Sequence, residues 1–163
     1  MAESNSKQIA DYLHRSYTAV DGLWFMKVEE RFGFDTALEI DDEVWKVMAK
    51  IQARRMKELL KKEEGLEALR ECFSTKLSID GFGFKLEEIE DARAFRIIIN
   101  KCPWHSYLVN SGRAHLSEKV GTRICNTEYS TWAAEFGNIR MDIQRQLCRG
   151  DELCVVQFNH NQS

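Results

Sequence analysis

Four cysteines in the C-terminal part of the chain are the residues whose type and spacing most suggest chemistry. Cys148 and Cys154 flank Arg149-Gly150-Asp151-Glu152-Leu153, a segment with the composition of a tight turn between two strands. Cys102 and Cys125 lie upstream of it. In a chain that begins without a secretory signature, such clustering indicates thiolate chemistry or metal binding before it indicates disulfides.

The register of the predicted hairpin decides whether Cys148 and Cys154 act together. An odd number of residues in the connection puts both side chains on one face of the sheet, with Cβ atoms about 5 Å apart. Cys125 and Cys102 can then join them, and His105 lies three residues after Cys102. Three thiolates and an imidazole satisfy tetrahedral zinc.

The alternative interpretation is that these thiols are part of the core, because free cysteine behaves as a small buried hydrophobe. For Cys72 packing is the interpretation we favour. His105 taken alone is more typical of a hydrogen-bonded helix start than of a metal ligand. The chain contains no Ser-His-Asp order, glycine-rich phosphate loop or HExxH motif that would supply another reaction centre.

Composition limits the classes of partner. The 163 residues are 44% hydrophobic and 30% charged, with a net charge of −3. The densest basic stretch, residues 54–62, is interrupted by Met56 and Glu58, which argues against nucleic-acid binding. No apolar run is long enough to cross a membrane, and the N-terminus lacks the apolar region of a signal peptide. We therefore expect no membrane partner and a cytoplasmic location.

Two long helices are predicted in the N-terminal part. The first extends from a Ser6 cap to Phe32 and ends at Gly33. The second, after a short segment 34–40, begins at Asp41 or Asp42 and extends to Glu64, before Gly65. We expect them to pack as an antiparallel hairpin through two apolar stripes. The stripes are Ile9, Leu13, Tyr17, Val20, Trp24 and Val28 on the first helix and Val44, Met48, Ile51 and Leu59 on the second.

Charged residues at or near these stripes are candidates for ligand contacts. Arg55 occupies an apolar position of the second stripe, and Asp21 and Glu29 lie at the edge of the first. Such residues reach water, pair across the interface or face a ligand cavity. Trp24 could stack on a ligand or belong to the core.

After Gly81 the period changes from helical to strand-like. A hairpin is predicted from Phe82 to Asn100 with its turn at Glu90-Asp91-Ala92-Arg93. A short helical turn, 66–73, precedes it. Helices 104–110, after Pro103, and 121–136 follow it, and the strands 139–147 and 153–158 form a second hairpin.

These elements predict an α+β fold. An antiparallel sheet of about four strands, built from two hairpins with two helices between them, is covered on one face by helices. We predict one domain, 1–163, made of a helical hairpin, 6–64, and an α+β part, 65–159. The ends, 1–5 and 159–163, are expected to fray.

The cysteine segment also carries a family resemblance. Leu147 to Cys154 followed by Phe158, with Cys125 on the preceding helix and a helical hairpin at the front, resembles the L-2-amino-thiazoline-4-carboxylic acid hydrolase-like proteins. The segments 21–25 and 102–105 look like an uncharacterised cytosolic branch near that family. The hydrolase pattern has no cysteine at position 148.

The same C-terminal hairpin resembles the 4-vinyl reductase domain of small-molecule sensors, in which cysteines hold a zinc ion. Cys125 and Cys154 match two of the ligand positions. The third falls on Gln146, two residues before Cys148, and the acidic ligand falls on Ile143, which cannot coordinate a metal.

The hydrolase resemblance implies opening of a small sulfur- or nitrogen-containing ring that carries a carboxylate, a cyclic amidine. Cys125 and Cys154 are then the thiolate or metal positions, with Cys102 and Cys148 as further metal candidates, and His105 is the proton carrier. Arg55 or Arg113 would bind the carboxylate, beside Asp21 and Trp24, in a cavity between the helix pair and the sheet. The sensor resemblance implies a zinc-containing binding domain without catalysis, in a homodimer.

Overall fold

The computed structural model describes residues 2–89 and 93–161. In the order of the chain, their helices and strands are α1 Ala2–Phe32, α2 Phe34–Leu60, α3 Leu66–Ile79, β1 Gly83–Ile89, β2 Ala94–Lys101, α4 Pro103–Asn110, α5 Ser117–Glu135, β3 Ile139–Arg145 and β4 Cys154–His160. Short 3-10 turns occupy Ala114–Leu116 and Leu147–Arg149. This order confirms the predicted α+β class. Of the predicted first turn, residues 90–92 lie outside the described residues, as do Met1 and residues 162–163 of the predicted frayed ends.

The four strands form one antiparallel sheet in the order β1-β2-β4-β3. Alternate residues of the two central strands face the core, which the period of two predicted. They are Phe95, Ile97 and Ile99 on β2 and Val156 and Phe158 on β4, and all are almost fully buried.

The helices α3 and α5 supply the other side of this core. Phe73 lies at its centre, with ring centroids 5.3 Å from Tyr129, 5.1 Å from Trp132 and 5.8 Å from Phe158. Aromatic pairs at such distances add about 0.5–1.5 kcal/mol each beyond their buried area. Cys72 is fully buried in the same core, as its surroundings in the sequence predicted.

The prediction for α2 was wrong at both ends and on its buried face. The helix starts directly after Gly33, whose φ of +86° permits the turn, and it ends at Leu60 rather than Glu64. In place of Val44, Ile51 and Leu59, which are exposed, it buries Trp45, Ala49, Ala53 and Met56. The face of α2 that joins the core carries Ala49, Ala53 and Met56, and the bulkier aliphatic stripe is left in water.

Several other boundaries differ from the predicted ones. The first helix already includes residues 2–5, and α3 continues to Ile79 instead of ending at Phe73. β3 ends at Arg145, after a register shift between Ile143 and Arg145, so that Cys148 lies in a 3-10 turn and not in a strand. The prediction that Cys148 and Cys154 lie on one sheet face is therefore wrong, because Cys148 lies outside the sheet.

The chain divides into two compact units, residues 1–43 and 44–163. In the first, the chain folds back at Gly33, and the rings of Phe25 and Phe34 meet edge to face at 5.9 Å. The second contains the sheet and its helices. Among the described residues, no helix combines the length and the apolar character needed to cross a membrane.

Candidate functional site

The four C-terminal cysteines come together at one end of the sheet. Cys154 begins β4 and is the register partner of Ile99, and Cys102 follows the end of β2. Cys125 lies on α5, and its ionisation is influenced by the other three thiols. Three separate parts of the chain therefore build what we call the thiol cluster: Cys102, Cys125, Cys148 and Cys154.

Close packing at Gly121 positions Cys148 in this cluster. A Cβ added at Gly121 would lie 2.8 Å from both the Cβ and the Sγ of Cys148, closer than real contacts allow. The α5 helix thus needs glycine there to accept the turn that carries Cys148. Next to it, the Sγ of Cys154 accepts the backbone N–H of Leu147 at 3.3 Å.

The thiols are held in their protonated form. Burial raises the pKa of Cys102 to about 11, although the backbone N–H groups of His105 and Trp104 act in the opposite direction. Burial also raises the pKa of Cys125, Cys148 and Cys154. Because the thiolate is the nucleophile, a protonated thiol at neutral pH is a poor one.

The ligands expected for zinc do not form a preassembled set. Among the described residues, no group of three or more His, Cys, Asp or Glu side chains is arranged to hold a metal ion. The third sensor position is occupied by Gln146, which is buried and whose backbone N–H donates to Asp151 at 2.8 Å. The donor set thus does not fit the sensor pattern, and zinc binding stays a prediction.

The other predicted site residues lie in several places. His105 is in the first turn of α4, with its Nδ1 2.7 Å from the Oγ of the buried Ser117. Arg55 points to solvent and pairs with Glu58 at 2.9 Å, and Arg113 is half-buried before a 3-10 turn. Asp21 is half-buried and Trp24 is exposed, and both belong to the first unit.

A buried ion cluster beside the thiols was missed by the sequence reasoning. Lys76 on α3 is 3% exposed and binds Glu128 of α5, which is 5% exposed, and its Nζ lies 3.2 Å from Asp80. Burial lowers the pKa of Lys76, but the two carboxylates outweigh it and raise the pKa above its ordinary value. The i, i+4 spacing of Lys76 and Asp80 was the one sequence signal available.

The ion cluster and the thiol cluster are electrostatically coupled. Glu128 lies one helical turn after Cys125, and its negative charge contributes to the raised pKa of both Cys125 and Cys102. A carboxylate at this place favours the neutral thiol. The arrangement therefore stabilises protonated cysteines rather than activating them.

A cavity of about 400 Å³ lies at the opposite end of the sheet. Its floor is formed by the buried Leu66, Ala94 and Phe95, and Gly65 completes the wall. Charged or titratable side chains surround the opening: Glu64, Glu67, Arg70, Glu88 and His160. Arg70 binds Glu88. These residues come from α3, β1, β2, β4 and a loop, so no local sequence pattern indicates the cavity.

Comparison with known proteins gives a family without an activity. No curated protein matches the chain. The match that is found extends over nearly all of the sequence, residues 3–158, and therefore includes both the thiol cluster and the cavity. The chain belongs to DUF6125, a family of unknown function.

Proposed function

We propose that this protein binds a small organic amine with an apolar body in the 400 Å³ cavity, and that it does so without thiol catalysis. The observation that carries the proposal is the combination of an apolar floor with an excess of carboxylates at the opening. Ligand pockets of about 300–1,000 Å³ typically combine apolar walls with a few polar groups that orient the ligand.

The floor provides the apolar contact. Leu66, Ala94 and Phe95 are each at most 6% exposed, so they form a preformed apolar surface that keeps little water-exposed area of its own. Burial of apolar area contributes about 25 cal/mol per Å². The gain therefore comes mainly from the ligand, since a ring that buries about 100 Å² of its own apolar area against this floor gains about 2–3 kcal/mol.

The charge at the opening selects an amine. The lining has three carboxylates and one cation, Arg70, which is already bound to Glu88. Lys62, whose charge also reaches Glu67, is bound to Glu71 at 2.7 Å. An ammonium group can donate to the carboxylates of Glu64 and Glu67, whereas a ligand carboxylate would be repelled. This differs from the carboxylate ligand expected from the family resemblance.

The thiol cluster lies too far away to act on such a ligand. Cys154 begins β4 and His160 ends it, and a strand of seven residues extends about 20 Å. The raised pKa values of the thiols also favour binding over nucleophilic catalysis. Hydrolysis of a cyclic amidine stays a prediction.

Two probes of matched shape test the proposal. We expect 2-phenylethylamine to shift the NMR signals of Gly65, Leu66 and Phe95 in a saturable way, and we expect 3-phenylpropanoate to leave them unchanged. The Glu67→Gln variant should weaken binding of the amine about 10- to 100-fold, because a charged hydrogen bond contributes about 1.5–3 kcal/mol. Glu63→Gln is the control, since Glu63 is the exposed neighbour outside the cavity.

The proposal is wrong if 3-phenylpropanoate binds more tightly than the amine at these residues. It is also wrong if Glu63→Gln weakens amine binding as much as Glu67→Gln. Shifts confined to Cys102, Cys125 and Cys154 would move the ligand site to the thiol cluster.

A further inference from the structure

The first helix carries a continuous apolar surface that faces solvent. Six large side chains of α1 are between 51% and 71% exposed, and we call them the α1 stripe: Ile9, Tyr12, Leu13, Val20, Leu23 and Trp24. Four of them are more than half exposed although the sequence pattern predicted them in the helix interface: Ile9, Leu13, Val20 and Trp24.

The stripe is one coherent face of the helix. At about 100° per residue, its six members fall within a sector of about 120°, and Ser16 is the one other residue between positions 9 and 24 that falls there. The opposite face carries the residues of α1 with less exposure, among them His14, Thr18, Phe25 and Val28. The helix therefore has a packed face and a separate apolar face exposed to solvent.

An exposed patch of this size indicates a protein partner. Monomeric proteins rarely expose contiguous apolar patches larger than a few hundred Å². Six large side chains at these exposures present roughly 800 Å² per copy, which is the area that each partner buries in a standard-size interface. A single helix face of this kind matches a second helix of similar length and character.

We propose that the α1 stripe is the interface with a second copy of this chain, in which the two α1 helices pack antiparallel. A two-fold axis between Ser16 and Tyr17 brings Ile9 of one copy to Trp24 of the other, because their numbers are equidistant from the axis. The same axis brings Leu13 to Val20. Ile9 and Trp24 combine a smaller with a larger side chain, and Leu13 and Val20 are both aliphatic. Between residues 9 and 24, no charged residue lies in the sector of the stripe.

The oligomeric state of the full chain and of two matched variants tests this surface. Sedimentation equilibrium should give a dimer for the native chain. Val20→Glu should raise the dimer dissociation constant about 100-fold or more, because it buries a charge at the centre of the interface. Val47→Glu is the control: Val47 is 58% exposed on α2, against 65% for Val20, but it is outside the stripe.

A charge pair tests the antiparallel orientation. Leu13→Glu alone and Val20→Lys alone should each dissociate the dimer, and the double variant should restore it to within about tenfold of the native constant. Within one helix these positions are seven residues apart and do not contact each other, so rescue requires the other copy. Far-UV circular dichroism verifies that each variant keeps its helices.

Three outcomes overturn the proposal. The first is a native chain that is monomeric at 100 μM, including the case in which nuclear Overhauser effects within one chain show the α1 stripe packed on another part of the same molecule. The second is a dimer that Val47→Glu dissociates and Val20→Glu does not. The third is a double variant that stays monomeric although both single variants are folded, which would exclude the antiparallel pairing.

Discussion

At the scale of single residues, the thiol cluster shows how the same residue type can be arranged against reactivity. A reactive cysteine needs a lowered pKa, which a positive charge or a helix N-terminus provides. Cys102 has backbone N–H groups beside it, yet burial dominates and raises its pKa to about 11. The residue types in the sequence suggested thiolate chemistry, and their surroundings oppose it.

Alkylation kinetics should show directly that the cysteine thiols are unreactive. At pH 7.5 we expect Cys102 to react with iodoacetamide about 100-fold more slowly than an exposed thiol introduced by Ser111→Cys, because a pKa near 11 instead of 9.0 leaves about 100-fold less thiolate. The rate at Cys102 should rise until about pH 11. Mass spectrometry of each site measures it, and equal rates at pH 7.5 would mean that Cys102 is activated after all.

The buried ion cluster is the second feature at this scale. Lys76 is the positive charge that compensates Glu128 and Asp80 in a part of the core from which water is excluded. Its Nζ also lies 5.7 Å and 5.6 Å from the ring centroids of Phe73 and Phe82. Removing one member of such a cluster leaves uncompensated buried charge.

We expect Lys76→Met to lower the free energy of unfolding by about 3–5 kcal/mol, measured by urea denaturation at pH 7. Lys85→Met is the matched control, since Lys85 pairs with Glu87 at 3.3 Å on an exposed part of β1. That change should cost less than about 1 kcal/mol. A loss for Lys76→Met as small as the control's would show that the two carboxylates do not depend on this lysine.

At the scale of secondary-structure elements, the end of α2 shows a helix stop made without glycine. Lys61 has a φ of +53°, and Lys62 donates its backbone N–H to the carbonyl of Lys57 at 2.9 Å. The backbone N–H of Lys61 itself donates to the backbone carbonyl of Glu58 at 3.3 Å, and the two bonds together form a Schellman motif. The prediction from the sequence ended the helix before the next glycine, Gly65, and was therefore four residues too long.

A left-handed lysine costs about 1–2 kcal/mol, and glycine recovers part of it. We expect Lys61→Gly to raise the free energy of unfolding by about 0.5–1 kcal/mol, because the native backbone already needs this conformation. Lys50→Gly, at an exposed position inside the same helix, should instead lower it by about 1 kcal/mol. Thermal and urea unfolding measure both, and a destabilising Lys61→Gly would contradict the cap geometry.

At the scale of the whole molecule, an acidic group in the first unit affects stability as a function of pH. Burial, with the negative charges of Asp21 and Asp42, raises the pKa of Asp41 from 3.8 to about 7. Between these two values the folded chain keeps a proton that the unfolded chain has lost. Stability from this group therefore falls as pH rises through this window, and the loss is complete above about pH 7.

Asp41→Asn should remove this dependence. At pH 8 we expect the variant to be about 1–2 kcal/mol more stable than the native chain, less than the full pKa shift implies, because the side chain is partly exposed and its charge is screened by solvent. The difference should vanish near pH 4. Urea unfolding at both values measures it, with the exposed Glu39→Gln as control, and an equal gain at pH 4 and pH 8 would contradict the titration of Asp41.

Much of the fold follows from the sequence by itself. The change of period after Gly81 identified an antiparallel sheet of two hairpins, and Pro103 lies at the start of α4 as expected, whereas α5 begins at Ser117, four residues before its predicted start. These signals are local, because a backbone period and a φ preference act within a few residues. The placement of Cys102 and Cys154 at one end of the sheet also follows from the predicted strand ends.

Tertiary structure alone decided which face of a helix is buried and which distant residues meet. A hydrophobic period gives the angle between residues on a helix but not the direction of the core, so both N-terminal stripes were predicted inside although most of their residues are exposed. Lys76 and Glu128, 52 residues apart, meet only because α3 and α5 pack on the same sheet. The cavity depends on the same packing, since its walls come from elements that are neighbours only in the folded chain.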